Sequence, residues 1–368
     1  MEKNTPYEEK SLWDSLKEEN RPIFLYGTGN GADKILDVLE KREIPVGGVF
    51  ASDGFVRDRY FRSFKVSSYS DIVRENGDNM IILLCFGTDR PDVTSFIEEL
   101  NRRHTLLIPD VPLYGGALFD KSYFDKNREL IASVRDLLSD DASKAFFDAA
   151  VNFRLTGKYE YLLTAEPLER SLTSLLDTEK IKNIVDLGAY KGDTAGLFAN
   201  IFESCETIHA VEPDPKTFVK LSEFAEKMNS SEKNAKIITH NFAASDRDAA
   251  IEYSGSSSRG AGAMGQNRRA KTKTVQTRPL DALNLQNIDF IKYDVEGDEA
   301  CALRGSAKTI SECRPSLAVS VYHKTDDLLV LPLAICEMLK KTGENYTFHL
   351  RRPPCIPAWD LIFYAVRR

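Results

Sequence analysis

The stretch IVDLGAYKGDTAGLFANIF, residues 184–202, runs from an apolar segment through a small acidic glycine loop into a helix-like segment. A strand that ends in Asp186 and turns at Gly188 and Gly192 lets backbone amides approach a ligand at the carboxyl edge of a sheet. A second stretch, IFLYGTGNGADKIL at 23–36, has the same outline. It satisfies G-x-G-x-x-A through Gly27, Gly29 and Ala32, and Asp53 follows at the end of the next apolar run, where an acid would hold a ribose. What each loop binds decides what the chain does.

The chain has 368 residues, long enough for two domains. Its 42% hydrophobic and 29% charged residues are those of a soluble globular protein. A net charge of -7 argues against duplex nucleic acid as the main partner. The charged start MEKNTPYEEKSLWDSLKEEN has no apolar core, so no secretory signal is read. No stretch nears the roughly 20 apolar residues of a membrane span. Six cysteines are scattered without a C-x-x-C pair, as in reduced cytosolic proteins. The expectation is a cytoplasmic enzyme, with homo-oligomerisation left open.

Residues 23 to about 118 alternate apolar runs with amphipathic ones, which implies a parallel sheet covered on both faces. Four strands are expected there (IFLYG, PVGGVFASD, MIILLCFG and TLLIPD), too few for a full dinucleotide fold. From 119 to 180 the apolar residues recur at three- and four-residue spacing, which predicts a helical connector. Alternation resumes at KNIVDLG and closes with two strand-like runs, FHLRR and LIFYAVRR, which suits an antiparallel edge. The expected fold is α/β, two Rossmann-like domains at 1–118 and 181–368 joined by the connector at 119–180.

The second loop reads Asp186-x-Gly188-Ala189-x-x-Gly192-Asp193-Thr194 and does not match the G-x-x-x-x-G-K-[ST] of a phosphate-binding P-loop. Its two acids would repel a pyrophosphate. A cationic ligand with an amino acid end fits better, and S-adenosylmethionine is one. Glu212, closing the next strand, can accept hydrogen bonds from both ribose hydroxyls. Asn241 and the Ala243 backbone, after the third strand, could edge the adenine.

These residues resemble a known family. IVDLGAYKGDTA, AVEPDPKTFVKL, RPLDAL and IDFIKYDVEGDEACALRGS are similar to the FkbM family of S-adenosylmethionine-dependent methyltransferases, over roughly residues 175–368. DDASKAFFDAAVNFRLTGKYEYL is similar to the helical lead-in of some members. Members commonly carry Asn where Tyr190 stands. The resemblance implies a seven-stranded class I methyltransferase sheet and O-methylation of sugars, polyketides or related natural products. The N-terminal segment resembles, more weakly, the nucleotide-sugar-type domains of some sugar-modifying enzymes.

Chemistry belongs at the carboxyl ends of the strands, where Asp294, Glu296 and His323 fall. Asp294 could touch the methionine end of the cofactor or the acceptor. His323, titrating near neutrality, could act as general base. The same three suit a divalent ion, but the sequence does not require one and no metal is assigned. The Gly/Ser-rich segment 253–280 carries Arg259, Arg268, Arg269, Lys271, Lys273 and Arg278 without an acid. Arg268, Arg269 and Lys271 are the expected contacts to an anionic small-molecule or glycan acceptor, a solvated hairpin being the plain alternative. His349, Arg351 and Arg352 form a second basic group that could join them. Two rivals stand: an NAD-dependent oxidoreductase or sugar-nucleotide-binding protein using Gly27, Gly29 and Asp53, and a scaffold that keeps both folds without turnover.

Overall fold

The computed structural model describes residues 6–56, 59–88, 90–112, 116–230, 235–253, 273–356 and 360–368. In the N-terminal part the apolar runs become β1 (Ile23–Tyr26), β2 (Gly48–Ala51), β5 (Ile81–Leu84) and β6 (Thr105–Leu107), with the short β3 (Tyr60–Phe61) and β4 (Phe64–Ser68) between them. The sheet order is β3-β4-β2-β1-β5-β6, parallel except for β3. This is six strands where four were expected. The β3–β4 hairpin was hidden because only Phe61 and Val66 in it are buried, so no apolar run marks it.

The second half contains β7 (Asn183–Leu187), β8 (Thr207–Val211), β9 (Lys236–His240), β10 (Ala243–Ala244), β11 (Ala249–Tyr253), β12 (Lys273–Arg278), β13 (Phe290–Tyr293), β14 (Ser316–Ser320), β15 (Tyr346–Arg351) and β16 (Ile362–Arg367). Seven of these form one sheet in the order β15-β16-β14-β13-β7-β8-β9, the order of the Rossmann-like methyltransferase fold. Its strands are parallel apart from β16, which runs against both neighbours. The reversed strand thus lies one place in from the edge, inserted between β14 and β15. A small second sheet, β10-β12-β11, stands beside it.

Chain direction decides where a ligand can sit. From β7 the chain steps to β8 and β9 on one side, then returns to β13 and β14 on the other. The gap between the two crossovers opens at the carboxyl ends of β7 and β13, where parallel sheets bind their ligands.

The connector is less a linker than a shared core. In the helix Asp141–Thr156, Phe146, Phe147, Ala150, Val151 and Leu155 pack into the core under the large sheet, while Phe153 enters the N-terminal core with Tyr159 and Leu162. Gly157 ends the helix at φ +66, and a Cβ there would stand 2.8 Å from the Ile108 carbonyl oxygen. The connector therefore closes directly on Ile108, the residue that follows β6. No helix among the described residues is long and apolar enough to cross a membrane.

Candidate active site at the sheet switch point

A cavity of about 400 Å³ opens at the switch point, within the size range of small-molecule sites. Gly188, Tyr190, Asp193, Thr194, Glu212, Asp214 and Ala243 line one part of it, and Lys292, Asp294, Glu296, Ser320, Tyr322 and His323 the other.

The loop after β7 owes its glycines to packing. Gly188 has φ +84, and a Cβ would fall 1.9 Å from the Asp294 carbonyl oxygen. Gly192, at φ +97, would drive one to 2.3 Å from the Phe224 ring. Gly188 and Ala189 donate their N–H groups to the Val211 carbonyl at 3.0 and 2.9 Å, pinning the loop to the end of β8. Ala189 and Gly192 are buried behind the cavity rather than lining it.

Asp186 is also behind the wall. Its side chain is fully buried, with Oδ1 accepting from Lys292 Nζ at 3.0 Å and Oδ2 from Thr194 Oγ1 at 2.6 Å. The repulsion inferred from sequence is therefore halved: Lys292 offsets Asp186, and Asp193 at the mouth is the acid left facing solvent. Burial works against the charge on Lys292, but Asp186 and then Asp294 outweigh it and hold the ammonium above the usual lysine range. Lys292 escaped the sequence reading, although a lone lysine inside FIKY, where all four side chains are buried, was its signal.

Glu212 is 6% exposed and lines the cavity. Oε2 accepts from the Tyr190 N–H at 3.1 Å and Oε1 from the Asp214 N–H at 2.8 Å, so both oxygens are aimed and each keeps a lone pair. Burial first, then the neighbouring Asp214 and Glu296 charges, push its carboxyl up to about 7. Tyr190 adopts φ +50, unusual for a side chain of its size, and its ring carries Lys191 Nζ at 4.6 Å. Asn241 turns away from the cavity and donates to the carbonyls of Glu212 and Pro213 at 2.8 and 3.2 Å. It braces the acid instead of edging a base.

At the other end the turn Asp294-Val295-Glu296-Gly297 is tight, with Glu296 at φ +58 and Gly297 at φ +99. Asp294 Oδ1 accepts from Ser320 Oγ at 2.9 Å and the Tyr322 hydroxyl at 3.3 Å, while Oδ2 lies 3.6 Å from Lys292 Nζ. Burial opposes its charge, but Lys292 and His323 hold the carboxyl below the usual range. His323 does sit beside Asp294 and Glu296, yet its expected role as a base meets an obstacle. Its Nδ1 lies 2.9 Å from Glu299 Oε1, and Nε2 faces Glu296 and Asp294. Burial disfavours the imidazolium, but Glu299 above all, then Glu296 and Asp294, raise it to about 10. These charges favour the protonated imidazole over the neutral base. Glu299 escaped the sequence reading because an acid in the first turn of a helix ordinarily answers the helix dipole.

The other predicted positions separate. Arg259, Arg268, Arg269 and Lys271 lie outside the described residues. Lys273, which follows them, bonds to the Asp214 carboxylate at the cavity wall. His349 bonds to Asp140, and buried Arg351 to Ser143 at 2.6 Å. Arg352 donates to the Pro353 carbonyl at 3.0 Å and to that of Leu162. That basic group fastens the connector and takes no part in the cavity. After β2, Asp53 accepts from the Ser70 N–H at 3.1 Å and from its hydroxyl, so the acid expected at a ribose is tied to the first turn of the helix Tyr69–Asn76.

Comparison with known proteins finds a family match and fold likenesses. The profile of the methyltransferase FkbM domain matches residues 186–349. Residues 186–349 are thus similar to an FkbM methyltransferase domain. Among solved structures, methyltransferase FkbM from Methylobacillus flagellatus KT superposes with a TM-score of 0.70 at 20% identity, covering 94% of this chain and 90% of that one. That likeness runs through both halves, so the two-part fold is common to both chains. Fibrillarin from Aeropyrum pernix, solved with natively bound S-adenosyl-L-methionine, is more distant: TM-score 0.34, 14% identity, covering 54% of this chain and 73% of its own. No curated protein matches the chain. The FkbM domain ends its profile in β15, short of β16, so the reversed strand is this structure's own evidence for the complete sheet.

Proposed function

We propose that this chain is an S-adenosylmethionine-dependent O-methyltransferase acting on a sugar or sugar-bearing metabolite. The observation that carries the cofactor assignment is Glu212: a cavity-lining carboxylate at the end of β8, both oxygens oriented by backbone N–H groups, one strand from the switch point. Its free lone pairs suit a pair of ribose hydroxyls. Gly188 and Thr194 would flank the methionine end, Asp193 its ammonium, and Ala243 the base.

The transfer would be an in-line displacement. The acceptor oxygen would bond to the methyl carbon, the C–S pair returning to sulfur and the hydroxyl proton passing to the Asp294 carboxylate and on to solvent. Asp294 faces the cavity with two hydroxyl donors and Lys292 fixing it, a geometry suited to orienting the acceptor. The charged His323 would steady a developing alkoxide, in place of the proton acceptance first expected of it. Arg268, Arg269 and Lys271 remain the proposed contacts to an anionic acceptor.

The test is release of S-adenosylhomocysteine across a panel of sugars, nucleotide sugars and glycosides. Asp294→Asn should slow transfer about 100-fold, the usual scale for a group acting on the reacting atoms. Turnover of no member of the panel, or an unaffected Asp294→Asn, would defeat the proposal.

A further inference from the structure

Arg154 lies in the last turn of the helix Asp141–Thr156, ahead of the matched residues 186–349. It is 8% exposed, and a buried guanidinium is costly unless its donors are met. Its Nη1 donates to the Thr325 carbonyl at 2.9 Å and its Nη2 to the Tyr322 carbonyl at 3.3 Å. Nε stands 3.7 Å from Oδ2 of Asp110, just beyond β6, and the guanidinium lies 5.9 Å from the centre of the Phe119 ring. One rigid fork therefore spans two carbonyls, with His323 and Lys324 between them. Packing alone does not ask for arginine here, since an apolar side chain of similar volume often serves a buried position as well.

The turn that this fork spans carries groups of the cavity wall. Tyr322 and His323 both line the cavity, and the Tyr322 hydroxyl donates to Asp294 Oδ1 at 3.3 Å. β14 has ended at Ser320, so the sheet no longer sets the backbone there. Inside the turn the Lys324 N–H donates to Asp327 Oδ2 at 2.8 Å, and the Asp327 N–H to the Lys324 carbonyl at 3.1 Å. From outside, Thr325 Oγ1 donates to the Ala117 carbonyl at 2.7 Å and the Tyr123 hydroxyl to Asp326 Oδ1 at 2.6 Å. Ala117, Tyr123 and Arg154 all precede residue 186, so this wall is fastened by chain that lies before the methyltransferase-like domain. Of the three, Arg154 grips the backbone on both sides of His323.

We infer that Arg154 is a positioning residue: it holds the turn at 322–325 so that the Tyr322 hydroxyl and the His323 imidazole stay set against Asp294. Arg154 does not line the cavity and acts through the backbone it grips. The consequence for methyl transfer rests on the methyltransferase reading, whereas the hold on the turn does not. A misplacement of about 1 Å near the reacting atoms can cost about 100-fold in rate, so a lost grip should appear in kcat. Cofactor affinity, set at Glu212 on the other part of the cavity, should not move. Lysine is not equivalent, because an ammonium is a point donor that meets one of the two carbonyls well. Methionine fills much of the same space and meets neither.

The experiment is hydrogen exchange followed by mass spectrometry on the full wild-type chain, Arg154→Met and Arg154→Lys, each shown folded by circular dichroism. S-adenosylhomocysteine calorimetry and the acceptor panel run in parallel. In Arg154→Met the peptide spanning 320–328 should exchange at least about tenfold faster, while that spanning 184–195 stays within about twofold of wild type. For any acceptor the panel turns over, kcat should fall at least about tenfold, with KM and S-adenosylhomocysteine affinity held within about threefold. Arg154→Lys should fall between the two chains, and it serves as the test alone should Arg154→Met not fold. Wild-type exchange at 320–328 would overturn the proposal. So would a rise spread evenly along the chain, the mark of general stabilisation, or a loosened turn with wild-type kcat. A wild-type chain that turns over no acceptor would sink the methyltransferase reading alone, and exchange at 320–328 would still decide the hold on the turn.

Discussion

Glu212 shows how one side chain joins structure to binding. Two charge-assisted hydrogen bonds to ribose, at about 1.5 kcal/mol each, set the expected loss for Glu212→Ala at about 100-fold in S-adenosylhomocysteine affinity. Its pH dependence follows in sign. The folded carboxyl is raised from 4.5 to about 7 by burial, so the chain without ligand prefers it protonated. Its contribution to stability is full below 4.5 and is lost as pH rises through about 7. A ribose that donates to the carboxylate selects the ionised form. Affinity should therefore tighten from pH 5 to pH 7 by up to about tenfold per unit and then level off, a slope that calorimetry should find flattened in Glu212→Gln. The sequence exposed this acid because it closes an apolar strand at a fixed distance from Gly188. It could not reveal that Asp186 is neutralised by Lys292, that Glu299 stands behind His323, or that Asn241 faces away. Those facts depend on which side chains the sheet register sets side by side, as Lys292 and Asp186 are.

At the scale of elements, the loop after β7 is the stringent piece. Gly188→Ala meets both a positive φ and a carbonyl oxygen 1.9 Å from the new Cβ, so overpacking and backbone strain should together cost about 3 kcal/mol or more. Gly343→Ala, at φ +74 with nothing within 4 Å, isolates the strain alone and should cost about 1 kcal/mol. Urea unfolding of the pair checks the contrast. Strands of the large sheet were legible because β7 and β13 are buried on both faces and read as apolar runs. Others were not: DEACALRGSAKTISE reads as one helix but breaks into Glu299–Arg304 and Ala307–Cys313 around Gly305, where a Cβ would stand 1.9 Å from the Ser245 carbonyl oxygen. The hairpin β11–β12 was obscured by the Gly/Ser-rich insertion between its strands.

For the whole molecule, the helix Asp141–Thr156 ties both α/β parts together, and Thr88 and Ile356 form a further backbone bridge across them. Phe147, fully buried in the large-sheet core, should cost about 3–5 kcal/mol as Phe147→Ala. Residues 181–368 alone should fail to fold stably, since the connector supplies Phe146, Phe147 and Val151 to their core, whereas 119–368 should retain it. Limited proteolysis and near-ultraviolet circular dichroism of the two fragments would distinguish them. Sequence periodicity announced the connector's helices, but not that one of them serves two cores, because burial nearly all round leaves little amphipathic signal.

The most direct measurement is isothermal calorimetry of S-adenosylhomocysteine against the wild-type chain and Glu212→Ala, with NAD as the competing ligand. A single site in the wild type, weakened about 100-fold in the variant and silent toward NAD, is the result expected of a cofactor held by β8 at the switch point. Equal affinity in the two proteins, or saturable NAD binding with none for S-adenosylhomocysteine, would contradict it.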